Sequence, residues 1–123
     1  MWKMYNPNPV GLHVEDCVQR AISAALGVDW DTASDIVHEA AREMGLPEHS
    51  DAVWGAVLRK HGFRRYVIPN QCPDCYTVGD FANEHSGICV LKVDGHVVSV
   101  IDGVIMDSWD SSDEIPQYFW EAK

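Results

Sequence analysis

The sequence predicts an α+β fold in which N-terminal helices pack on a C-terminal antiparallel β-sheet. Apolar residues recur at helical spacing up to Lys60, and from Phe63 the pattern changes to short β-branched and aromatic runs. Two Asp-Gly pairs, Asp94-Gly95 and Asp102-Gly103, sit between such runs, which is a strong hairpin signal. Helices that come first and strands that come afterwards segregate into layers, with the helices against one face of the sheet.

The elements follow in order. The opening segment through His13 is rich in Pro and Asn and reads as an irregular surface lead-in. Asp16 is placed to N-cap a helix from Cys17 to about Leu26. Val18, Ala21, Ile22, Ala25 and Leu26 form its apolar stripe, and Gly27 supplies the left-handed stop. A second helix is expected from Thr32 to Met44, capped by Asp31, with Ala33, Ile36, Val37, Ala40 and Met44 inward and Gly45-Leu46-Pro47 ending it. Asp29, Asp31 and Asp35 near its start suit the positive end of the helix dipole. A third helix begins after Ser50 or Asp51, buries Val53, Trp54, Val57 and Leu58, and closes at His61-Gly62.

Phe63 to Ile68 reads as a strand stopped by Pro69, and Asn70 to Cys75 as a loop. Thr77 and Asp80 form a capping box for a short helix through about His85. Strands are then expected at Ile88 to Val93, His96 to Ile101 and Val104 to Trp109. Beyond the acidic run Asp110 to Glu114, Tyr118-Phe119-Trp120 is expected to pack back on the sheet.

At 123 residues, with 46% hydrophobic residues and five tryptophans, the chain is expected to form one domain, residues 1–123, around one core. Nineteen acidic against nine basic side chains give a net charge of -10, which repels phosphate backbones and argues against a nucleic-acid partner. The acids are scattered, as on a solvated surface; steering of a basic protein partner is the subordinate reading. No apolar run approaches the roughly eighteen residues of a membrane span, and the opening residues lack a signal-peptide apolar region. A cytoplasmic location without membrane contact is therefore expected. Nothing in the sequence sets an oligomeric state.

Cys17 carries the chemical signal. A thiol at a helix start meets unpaired amides and the positive end of the dipole, which favour its thiolate, whereas a purely structural cysteine belongs inside an apolar stripe. A two-residue turn at Asp102-Gly103 pairs Ile101 with Val104. It places Trp109 opposite His96 and Asp107 opposite Val98, so His96 and Asp107 are diagonal neighbours on one face. Asp107 is expected to hold the Nδ1 proton of His96, leaving Nε2 to take the Cys17 proton. Asp102 is accounted for as a turn former, Trp109 as core filling or a wall of the site, and Arg20 as a partner of Asp16. His38, His49 and His61 read as surface residues.

Of the four cysteines, Cys72 and Cys75 have the two-residue gap that lets a loop offer two thiolates to zinc. One pair is half a site, and His85 or Cys89 would have to complete it. Cys89 lies in an apolar strand, where a core thiol is the simpler account. Unliganded loop thiols are the favoured reading of Cys72 and Cys75, and no cofactor is expected.

Asp16-Cys17-Val18-Gln19-Arg20-Ala21, Gly95-His96-Val97-Val98 and Ile101 through Asp110 resemble segments of small papain-like cysteine peptidase-fold proteins, many of them encoded by phages or by bacteria carrying phage genes. Tyr76 to Phe81 extends the likeness. The resemblance implies Cys17 as nucleophile, His96 as general base, Asp107 as orienting group, and a peptide or protein substrate cleaved through an acyl-enzyme. The side-chain amide that papain-like enzymes place shortly before the nucleophile is missing, since Gly11 and Leu12 stand there. Asn6, Asn8 and His13 are the candidates for that oxyanion-stabilising role, Asn8 being favoured, with the Cys17 backbone amide as second donor. The departure also motivates an alternative: a papain-fold phage protein with little or no turnover that acts as a binding or inhibitory factor.

Overall fold

The computed structural model describes residues 2–7, 16–68 and 76–122. Within them the chain forms β1 (Trp2–Met4), α1 (Cys17–Leu26), α2 (Trp30–Met44), α3 (Asp51–Lys60), β2 (Phe63–Val67), α4 (Val78–Glu84), β3 (Ile88–Val93), β4 (His96–Ile101), β5 (Val104–Asp107) and β6 (Tyr118–Ala122). The fold is α+β. Its strands make one six-stranded sheet in the order β1-β5-β4-β3-β6-β2.

The β3–β4–β5 meander has the expected register: Val93 pairs with His96, and Ile101 with Val104 across the second turn. Asp102 and Gly103 both adopt positive φ (50° and 81°), the twist that suits a two-residue hairpin. Asp102 is held there by its Oδ1, which accepts the Gly87 N–H at 2.8 Å. Thr77 caps α4 as expected, each of Thr77 and Asp80 bonding the other's backbone N–H.

Several expectations are corrected or extended. The sheet is mixed, because β1, read as irregular lead-in, pairs in parallel with β5 (Met4 with Asp107). Three residues are too short a run to show alternation, and the bond partners are a hundred positions away. The aromatic tail does more than pack back: β6 inserts between β3 and β2 and pairs with both. Helices cover both faces. Val18, Ile22 and Trp54 pack with Val90, Val97 and Trp120 on one side; Val78 and Phe81 of α4 pack with Leu91, Val98 and Ile105 on the other. Each fully buried Val, Leu or Ile here contributes about 1.5–3 kcal/mol.

The caps also differ. The N-cap of α2 is Asp29, whose Oδ1 accepts the Thr32 N–H at 2.7 Å, so the helix starts at Trp30 and Asp31 lies in its first turn. Asp16 precedes α1 without capping it by its side chain; the carboxylate is buried against Arg20 and the Trp30 indole. Finally, β5 ends at Asp107 and not at Trp109, because the Asp107 carboxylate turns back to bond the Ser108 N–H at 2.8 Å. Pro69 and the Asn70–Cys75 loop lie outside the described residues.

Candidate active site

Cys17 is the first residue of α1 and His96 the first of β4. Strand alternation assigns His96 to the α4 side of the sheet with Val98 and Val100, whereas α1 lies on the opposite side. The two side chains meet because each begins its element at the same end of the sheet, where they line one cleft of about 410 Å³ with Val18, Arg20, His49, Lys92, Gly95 and Val97. There the His96 ring and the Val97 backbone N–H are near enough to the sulfur to stabilise its thiolate. The helix stays against β4 through the buried Ser99 hydroxyl, which donates to the Ala21 carbonyl at 2.7 Å.

Asp107, 2% exposed, ends β5 and accepts from His96 Nε2 at 2.7 Å. The ring nitrogen facing the carboxylate is thus Nε2 and not Nδ1, which corrects the expected tautomer: Nδ1 is the nitrogen left for Cys17. The β4–β5 ladder stops at Ser99–Met106, so Asp107 lies beyond it and meets the far edge of the ring. The carboxylate also accepts from the Ser111 hydroxyl at 2.8 Å, and Arg20 approaches its other oxygen at 3.8 Å. Its backbone carbonyl accepts from the Trp2 indole at 3.2 Å and the Tyr5 N–H at 2.7 Å, which ties β1 to the site. Neither a family model nor a curated protein nor a solved structure matches this chain.

The electrostatics favour a charged pair. Burial opposes the protonated His96 ring, but the bonds to Asp107 and to Cys17, together with their charges, hold its pKa at about 9, above the usual 6.5. Burial pushes the Cys17 thiol up, and the His96 and Val97 hydrogen bonds with the His96 and Arg20 charges more than reverse this, leaving it below an ordinary thiol. A thiolate beside an imidazolium is a nucleophile next to a proton donor. Cys89 is the contrast: buried on β3 near Glu121, its thiol is pushed up to about 12 and is chemically quiet.

Three of the residues expected to act together, Cys17, His96 and Asp107, are brought into one chain of contacts. Asn8 and His13 lie outside the described residues, as do Cys72 and Cys75. Among the described residues no group of three His, Cys, Asp or Glu side chains is arranged to hold a metal. His85, weighed as a zinc partner, instead stacks on Phe81 with ring centroids 3.7 Å apart. Trp109 is half-exposed and tilts against the His96 ring at 5.1 Å, so it walls the imidazole and does not fill the core.

Sequence reasoning missed Ser111, the Val97 amide and the reach of Arg20 past Asp16 to Asp107. Arg20 carried a usable signal, since it falls one helical turn from Cys17 and four residues from Asp16. Ser111 carried none, because it sits in a run of turn residues.

Proposed function

We propose that this protein is a cysteine-dependent hydrolase of papain-like type, a peptidase, isopeptidase or amidase, acting through Cys17, His96 and Asp107. The observation that carries this reading is the His96 ring bonded to buried Asp107 and sharing one cleft with a helix-start thiol whose pKa it lowers. A buried structural cysteine has the opposite bias, as Cys89 does.

In the proposed reaction the Cys17 thiolate attacks a substrate carbonyl, forming a C–S bond and a tetrahedral oxyanion. As the first residue of α1, Cys17 has a backbone N–H with no intrahelical acceptor, and this amide stabilises the oxyanion. Collapse breaks the C–N bond while His96 gives its Nδ1 proton to the departing amine. Water then gives a proton to His96 and attacks the thioester; the C–S bond breaks, releasing the acid and restoring the pair. Asp107 keeps Nε2 protonated and supports the imidazolium throughout. No helix among the described residues is long and apolar enough to cross a membrane, and the proposed setting is the cytoplasm.

The test is reaction with a peptidyl vinyl sulfone, followed by peptide mapping. Stoichiometric adduct on Cys17, abolished by Cys17→Ala and slowed at least tenfold by His96→Ala, is expected. Modification that spares Cys17, or that follows an ordinary alkaline thiol profile there, overturns the proposal. Stable capture of a protein without any acylation of Cys17 would favour the non-catalytic binding alternative.

A further inference from the structure

A cationic surface lies at the opposite edge of the sheet from β1, on β2 and the end of α3. Residues 59–65 hold four of the chain's nine Lys and Arg residues, Arg59, Lys60, Arg64 and Arg65, and none of its nineteen acids. Three of the other five cations are paired: Arg20 with Asp16, Arg42 with Glu39 and Lys92 with Asp51. None of the four forms an ion pair among the described residues, although Glu121 stands across the ladder from Arg64. In a molecule of net charge -10, four cations within seven residues without an ion pair are a local reversal of sign.

Two of the guanidiniums are set on aromatic platforms. Arg65 lies 4.2 Å from the Tyr118 ring centroid and Arg59 5.3 Å from that of buried Trp120. Stacking orders the planar fork while leaving its edge N–H groups to donate, the geometry in which arginine recognises carboxylates. Arg59, Arg64, Arg65 and Trp120 line a shallow cleft of about 490 Å³ with Gly62 and Phe63.

β2 ends the sheet and, among the described residues, pairs only with β6. Its outer edge therefore presents backbone N–H and C=O groups to a further strand. Apolar surface accompanies them, since Val67 is 77% and Tyr66 41% exposed. Phe63 faces the helices, so alternation puts Arg65 on that side and Arg64 on the other.

We propose that β2 is a docking edge for an extended acidic peptide segment of a partner or substrate protein, added to the sheet as a further strand. Two adjacent acidic residues of such a strand point to opposite faces, one toward Arg64 and the other toward Arg65 and Arg59, while flanking apolar residues cover Tyr66 and Val67. Backbone pairing supplies affinity and the arginines supply selectivity. A polynucleotide has no backbone donors to complete a ladder, and its charge at every phosphate meets more of the molecule's net repulsion than two glutamates do, so the peptide is favoured. β3 and β6 separate β2 from β4, so the surface acts apart from Cys17.

The probe is a fluorescein-labelled peptide with two adjacent glutamates between valine and threonine residues, followed by anisotropy. Saturable binding that weakens as salt rises is expected. It should fall at least tenfold with Arg64→Glu/Arg65→Glu and equally with a peptide of the same charge carrying proline at alternate positions, and it should be unchanged in Cys17→Ala. Arg64→Gln, on an exposed side chain without a ring contact, serves as the milder variant, with far-ultraviolet circular dichroism as the folding control. Absence of binding, undiminished binding of the proline peptide, or tighter binding of oligothymidylate with the same arginine dependence would each overturn the proposal.

Discussion

Asp107→Asn tests the electrostatic core of the site with almost no change in shape. The carboxylate accepts bonds from His96, Ser111 and the Ser108 N–H. Asparagine keeps the volume and one acceptor but removes the charge. His96 sits at about 9 against an ordinary 6.5, which corresponds to about 3 kcal/mol favouring the imidazolium. Burial opposes the rise, and the bonds and charges of Asp107 and Cys17 overcome it; an opposite charge in direct contact is worth about 1–3 pKa units. With the charge gone, the His96 pKa falls, the imidazolium supports the thiolate less, and the Cys17 pKa rises.

The assay is iodoacetamide alkylation of Cys17 from pH 5 to 10, quantified by peptide mapping so that other thiols do not contribute. In the wild type the inflection at Cys17 lies below the ordinary thiol value. In Asp107→Asn it moves up by about one unit and the rate at pH 7 falls about tenfold. Superimposable profiles from two folded proteins would refute the argument that Asp107 acts through His96 on the sulfur.

The His96 shift also has a stability consequence. Its folded pKa is above its unfolded value, so its stabilisation is complete below about pH 6.5 and is lost as pH rises toward about 9. The depressed Cys17 thiol contributes in the opposite direction, so the cleanest measurement is made in Cys17→Ser: its Tm should fall over that range, while His96→Gln/Cys17→Ser should stay flat. Gly103→Ala should destabilise by about 2 kcal/mol or more in urea, because φ is positive and the added Cβ would lie 2.9 Å from the Ala82 carbonyl oxygen. Ser99→Ala should cost about 1 kcal/mol through the lost bond to Ala21 and lower Cys17 reactivity by loosening α1 on β4; unchanged urea midpoint and reactivity would remove that positioning role.

Much of this molecule was legible because its signals are local. The stripe of α1, the Thr77–Asp80 capping box and the Asp102-Gly103 turn each need only a few neighbouring residues, and the turn fixes the β4–β5 register by simple counting. That counting placed His96 beside Asp107, and the dipole argument singled out Cys17, whose thiol pKa the structure lowers through His96, Val97 and Arg20. Neither required knowledge of the rest of the chain.

What only tertiary structure decided are pairings between distant segments and the orientation of side chains at element ends. β1 finds β5, and β6 enters between β3 and β2, through backbone bonds that carry no residue code. Alternation even separates His96 from α1 by a sheet, and their meeting depends on both beginning at the same sheet end. Which ring nitrogen faces Asp107 depends on where the ladder stops and how the imidazole turns beyond it. Period and propensity describe an element's interior; its ends are set by whatever packs there.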